Sequence, residues 1–206
     1  MSQSPSPDPV GTQFAVSIAA GFAEAEREPL SRLYWEAFGD KLGRVLGPGP
    51  KALTFVARSL SPAHALVARS GGEPVGLAGF RDYEGALVDI SLGPMLGVYG
   101  VAGALGRSAL LGLRHRDTDN RRFLVDGLAV AEAHRGRGIG SRLIEALAGI
   151  AQTRGHPAIR LDVADGNDGA RRLYERRGFR AVQRLESGPL DRLAGGAPLT
   201  VMERRP

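Results

Sequence analysis

The 206-residue sequence predicts a single domain of the α/β or α+β class, on three observations. Segments with a helical apolar period alternate with short strand-like runs along the chain. Glycine or proline punctuates the junctions, as in "GPGP" (47–50) and "GGE" (71–73). A hydrophobic fraction of 43% and a charged fraction of 24% suit one sizeable core.

Each element follows in order. Residues 1–12 lack apolar periodicity, a basic start and an apolar core, so they predict a disordered tail and no secretory leader, with the domain spanning 13–206. "FAVSI" (Phe14 to Ile18) reads as a strand. From Glu24 to Leu46 the residues Leu30, Leu33, Tyr34, Ala37, Phe38, Leu42, Val45 and Leu46 recur at helical spacing. Lys51 to Leu60 is a second, shorter helix that stops before Pro62. "HALVARS" and "PVGLAGF" form two strands across a tight turn.

Residues 84–119 interrupt this pattern as a helical insertion between the third and fourth strands. Ile90 to Gly106 carries no charge, yet it is shorter than the roughly 18–20 residues of a membrane span, and Pro94 and repeated glycines argue further against one. It reads as core, as the wall of an acceptor pocket, or as a homodimer contact. "RRFLVDGLAV" is then a strand with a bulge or a close backbone approach at Gly127. A helix carries Ile139, Leu143, Leu147 and Ile150, "AIRLDVAD" is a strand, and "NDGARRLYERRGF" is a helix opened by Asn or Asp and closed at Gly178. "RAVQRL" and "LTVMER" are terminal strands.

Cysteine is absent, which excludes disulfides, thiolate nucleophiles and cysteine-held metals and fits a reducing cytoplasm. The four histidines have no i,i+3 or i,i+4 pairing, so no metal site is expected. Net charge is +5, unevenly spread: residues 1–120 hold 11 basic and 12 acidic residues, and 121–206 hold 16 and 10. The second half therefore suits an anionic ligand. The arginines lack interleaved aromatics, which argues against nucleic acid.

That ligand has an obvious seat. "AVAEAHRGRGIGSRLIEAL" (129–147) sets strand, glycine-rich turn and helix in succession, the geometry that presents bare helix N–H groups to phosphate. A P-loop needs lysine after its last glycine, and Ser141 and Arg142 stand there instead. A dinucleotide fingerprint is one glycine short, although Asp162 lies at the distance of a ribose partner. One pattern fits without substitution: Arg135 to Gly140 matches R-x-x-G-x-G, and Asn167 to Phe179 matches N-x-x-A-x-x-x-Y-x-x-x-G-F.

In that order and at that distance the two motifs resemble the GNAT superfamily of acyl-CoA-dependent N-acyltransferases, over roughly Phe123 to Val182. The resemblance implies a mostly antiparallel twisted sheet with splayed strands, and transfer of an acetyl group from acetyl-CoA to a primary amine on a small molecule or peptide. It implies that Leu128, Ala129 and Val130 contact pantetheine and the acyl group. Amides of Arg135, Gly136, Arg137, Gly138, Ile139, Gly140 and Ser141 would cradle the pyrophosphate, and Asn167 would contact the cofactor. Tyr174 would lie near the sulfur; it falls seven residues after Asn167, two turns along one helix face.

A tyrosine of ordinary pKa about 10 can donate to a thiolate of roughly 8.5, so Tyr174 is the candidate acid, with core packing as its other use. Asp126 is the candidate base, with Asp82 and Glu84 as rivals; it shares a strand face with Leu128 unless a bulge at Gly127 intervenes. Asp126 reads equally as a strand-end carboxylate paired with an arginine. The arginines at 172, 176 and 177 are expected in solvent, and His134 supports the loop. A cofactor-binding regulatory module and a nucleotide-binding oxidoreductase are the other classes the residues allow.

Overall fold

Alternation in "ALVARS" and "EPVGLAGFR" sends successive side chains to opposite sheet faces. Leu66, Ala68, Ala78 and Phe80 enter one core, and Ala65, Val67 and Leu77 enter another. A computed structural model describes residues 15–47, 49–114, 123–188 and 197–206. The expected tail at 1–12, Phe14 and the end of the insertion (115–119) lie outside them.

The strands are β1 (Val16–Ala20), β2 (Ala65–Ser70), β3 (Glu73–Arg81), β4 (Phe123–Val130), β5 (Ile159–Ala164), β6 (Arg180–Leu185) and β7 (Leu199–Arg204). They form one sheet in the order β1-β2-β3-β4-β5-β7-β6. Every neighbouring pair is antiparallel except β4 with β5. That parallel pair is held only at Phe123↔Ile159 and Leu124↔Arg160, after which the strands splay. The mixed α/β architecture and the splayed, mostly antiparallel sheet are as the sequence predicts.

Helices cover both faces. On one side lie α1 (Arg27–Leu46), α2 (Gly49–Ser59) and α3 (Leu92–Arg114); on the other lie α4 (Ile139–Thr153) and α5 (Asp168–Arg176). The α1 stripe buries Leu30, Leu33 and Tyr34 near its start and Val45 and Leu46 at its end. Arg27 ties the start of α1 to the end of α2, donating to the Ala57 and Leu60 carbonyls at 2.9 and 2.8 Å. In α4, Ile139, Leu143, Ile144, Leu147, Ala148 and Ala151 face the sheet.

The uncharged run of the insertion is helical, bent at Gly100 (φ 67°, ψ 180°). It packs on α1 and α2, burying Met95 and Ala104, while Leu92, Leu96, Val101 and Leu105 stay exposed. Among the described residues no helix is long and apolar enough to cross a membrane.

Candidate active site

The splay between β4 and β5 opens a cleft of about 850 Å³. It reaches from Tyr34, Phe38 and Lys41 on α1, past Asp126 to Val130 on β4, to the turn before α4 and the Asn167–Tyr174 side of α5. Such a volume suits a ligand of cofactor size.

The turn before α4 presents bare backbone to the cleft. Gly136 and Gly138 adopt φ of 75° and 77°, a left-handed conformation that side chains resist. Gly140 is helical, and a Cβ there would stand 3.3 Å from the Leu173 side chain, so it lets α5 approach α4. The Arg135 amide is spent on the Glu132 carbonyl at 3.1 Å, but no amide from Gly136 to Ser141 donates to a backbone carbonyl among the described residues; the next bond is Arg142 N–H to Gly138 O at 3.1 Å. Six consecutive donors therefore stand unspent at the positive end of a 15-residue helix.

A second row of donors lies along β4. Ala131 N–H donates to Val75 O at 2.9 Å. Hydrogen-bonded and non-bonded pairs alternate in an antiparallel ladder. Through the register Ala129↔Leu77 and Val130↔Gly76, the amides of Leu128 and Val130 therefore face away from β3, into the splay. The Val130 carbonyl accepts from Arg135 Nε at 3.1 Å, consistent with that orientation. Leu128 and Val130 pack on the α4–α5 side, whereas Ala129 is buried in the opposite core and does not line the cleft. Arg137 is exposed and does not line it either. The loop's cleft-lining residues are Arg135, Gly136, Gly138, Ile139, Gly140 and Ser141.

On α5, Asn167 and Tyr174 both line the cleft. Asn167 Oδ1 caps the helix, accepting from Ala170 N–H at 3.2 Å. Tyr174 is 9% exposed, its ring lies 5.9 Å from that of Phe179, and burial alone pushes its hydroxyl up to about 12. Arg176, expected in solvent, is exposed but lines the cleft wall, and Arg177 is half-buried beside Glu145. His134 lines the cleft with Nδ1 buried and without a partner among the described residues.

The bulge falls on Asp126. Gly79 faces Gly127 and Phe80 faces Val125, leaving Asp126 as the extra residue. Phe123 and Val125 face the α4–α5 core before it, and Leu128 and Val130 face that core after it. Asp126 thus turns to the α1 side and does not share a face with Leu128. There it accepts from Arg81 Nη2 at 3.3 Å and lies near Tyr34. Burial raises the Tyr34 hydroxyl, the Asp126 carboxylate adds to this, and Arg81 opposes it. Gly127 lets α1 sit flat on the bulge, since a Cβ would meet the Phe38 ring at 3.2 Å.

The rival carboxylates lie elsewhere. Asp82 has a fully buried side chain held by Arg154 and His64, and neither it nor Glu84 lines the cleft. Sequence reasoning missed Tyr34, Phe38, Lys41 and Arg81 as cleft residues. Tyr34 and Phe38 belong to the stripe that also reads as core, and only the i,i+4 aromatic pair, with ring centroids 4.7 Å apart, hinted at more. Among the described residues no group of three or more His, Cys, Asp or Glu could hold a metal ion.

Residues 27–179 match the model of the acetyltransferase (GNAT) family, well beyond the 123–182 stretch that carries the motifs. No curated protein sequence matches the chain. Solved structures do. An N-acetyltransferase from Staphylococcus aureus is 16% identical with a TM-score of 0.63, covering 91% of this chain and 100% of that one. A Drosophila melanogaster polyamine N-acetyltransferase, described as forming N-acetylagmatine, is 18% identical with a TM-score of 0.62, covering 93% and 100%. Another acetyltransferase is 21% identical with a TM-score of 0.61, covering 92% and 98%. At these identities the likeness is one of fold.

Proposed function

The chain belongs to the GNAT acetyltransferase family, and from that membership we propose that it transfers an acetyl group from acetyl-CoA to a primary amine, by direct attack with both substrates bound. One observation carries the reading: the unspent amides from Gly136 to Ser141 at the start of α4, opening on a cleft of suitable size. A diphosphate satisfies those donors and meets the helix dipole. The Leu128 and Val130 amides suit an extended amide-bearing arm, which would lie where β5 has parted from β4.

Acetyl-CoA supplies an activated thioester carbonyl. The Val130 N–H is the chain's donor for negative charge developing on that oxygen. Asp126 accepts a proton from the acceptor ammonium, and Tyr174 donates a hydrogen bond to the departing sulfur. As the C–N bond forms and the C–S bond breaks, one ammonium proton leaves through Asp126 to water and a second ends on the thiol. Without cysteine, direct attack is favoured over a covalent enzyme intermediate.

Calorimetric titration with acetyl-CoA, joined to a free-CoA release assay over a panel of amines, tests the reading. Binding with amine-dependent release is expected. No affinity for acetyl-CoA removes it, and binding without release leaves a regulatory module. The cysteine-free composition favours a place in the cytoplasm. The exposed Leu92, Leu96, Val101 and Leu105 of α3, none of which lines the cleft, offer a homodimer contact. Light scattering that finds a monomer at micromolar concentration removes that contact.

A further inference from the structure

Resting on the acyltransferase reading above, the geometry points to an acceptor that carries a carboxylate beside its amine, held by Arg81: an apolar amino acid or a close relative rather than a polyamine. Arg81 closes β3 and lines the α1 end of the cleft with its side chain 24% exposed. A guanidinium has five N–H donors in a planar fork. Here the one hydrogen bond it makes among the described residues is the 3.3 Å contact from Nη2 to Asp126 Oδ1. Its Nε is buried with no partner. A guanidinium held mostly out of water with a buried donor unmet is costly, unless a ligand completes the set. Carboxylate is the group whose two oxygens match the fork.

The neighbours define the rest of the acceptor. An ammonium and a carboxylate two bonds apart complement the Asp126–Arg81 pair, the cation toward Asp126 and the anion toward Arg81. The distal ammonium of a polyamine would be repelled by the Arg81 fork, whereas a carboxylate is drawn to it. Tyr34, Phe38 and Leu42 offer an apolar wall for the acceptor's side chain.

The test compares initial rates of CoA release for matched acceptors: leucine, leucinamide and 3-methylbutylamine, then the phenylalanine series, with agmatine against arginine as the cationic pair. The amide keeps the lowered basicity of an α-amine while removing the charge, so it separates recognition from proton affinity. Leucine and phenylalanine should exceed both partners in kcat/KM by on the order of tenfold or more, the worth of a hydrogen bond to a charged group. Arg81→Met should bring that ratio towards one through KM, and Arg81→Lys should restore part of it. Retained acetyl-CoA affinity and Tm show that each variant is folded. Release of CoA with equal or better rates for the uncharged partners overturns the inference and leaves the acyltransferase reading intact. A ratio that survives Arg81→Met also overturns it, and release with no acceptor overturns both.

Discussion

Replacing Tyr174 by Phe removes one hydroxyl from the cleft and little else, and its cost follows from burial. A free thiol titrates near 8.5, and the buried phenol is pushed up to about 12. Complete proton transfer between them spans roughly 3.5 units, about 5 kcal/mol uphill. In the proposed role Tyr174 therefore keeps its proton and donates a hydrogen bond to the sulfur. Losing one such bond to a charged partner costs about 1.5–3 kcal/mol, so kcat should fall on the order of tenfold to a hundredfold. Acetyl-CoA Kd should hold, because the bond strengthens only as charge develops on sulfur. The protonated form is the active one: it is fully present below the ordinary value of 10.0 and is lost as pH rises through about 12. A folded pKa raised above the unfolded one gives stability the same sign and window. Profiles of kcat from about pH 6 to about pH 10, with calorimetric Kd, check this. An alkaline limb in that range that disappears in Tyr174→Phe would refute the reasoning. Equal losses in kcat and affinity would make Tyr174 a packing residue.

Gly79→Ala should destabilise by about 1–3 kcal/mol in urea unfolding, since its Cβ would stand 2.3 Å from Leu87 Cδ2; Leu87→Ala in the same chain should recover part of the loss. Gly138→Ala imposes a side chain on φ of 77°, a strain of about 1–2 kcal/mol, and should weaken acetyl-CoA binding by calorimetry more than it lowers Tm. Arg154→Met strands the fully buried Asp82 carboxylate and should cost about 3 kcal/mol. Burial works to raise Asp82, but the Glu84 amide, Arg154 and His64 outweigh it and hold the carboxyl below 3.8. Its contribution is thus present above that value and lost as pH falls through the depressed one, so the acid limb of the Tm profile should shrink in Arg154→Met.

The fold was legible where one local force acts alone. In α4 the apolar repeat and the left-handed glycines before it report helix, burial and entry turn together, because a Cβ is unwelcome at Gly138 whatever the tertiary setting. The strand pair around residues 71 and 72 is equally local, closed by two glycines with positive φ. The α1 end of the cleft was not legible. Tyr34 and Phe38 obey the same helical period as Leu30, and periodicity separates buried from exposed without saying whether the burying partner is protein or ligand. Arg81 follows "PVGLAGF" with no motif around it, and only the splay of β4 from β5 makes its setting a cleft.

Asp126 shows why position along a strand is weaker evidence than spacing along a helix. Period-two alternation puts it on the face of Leu128, and one unpaired residue reverses that. The reversal has a chemical consequence. Before the bulge the inward side chains Phe123 and Val125 fill the α4–α5 core; after it Leu128 and Val130 do, so the carboxylate in between is delivered to α1. After the bulge, the Ala131–Val75 pair leaves the Leu128 and Val130 amides facing the splay. Carboxylate and amides are thus set apart on one strand, the carboxylate toward the α1 end and the amide donors along the gap beside the helix-start amides. Regular period-two alternation would place Asp126 on the face of Leu128, beside amides that suit an anion, where a carboxylate would oppose the ligand. Deleting Asp126 restores the alternation and abolishes the separation. In the CoA-release assay it should cost far more turnover than Asp126→Asn, which keeps the bulge; equal losses would reduce the role of Asp126 to its charge alone.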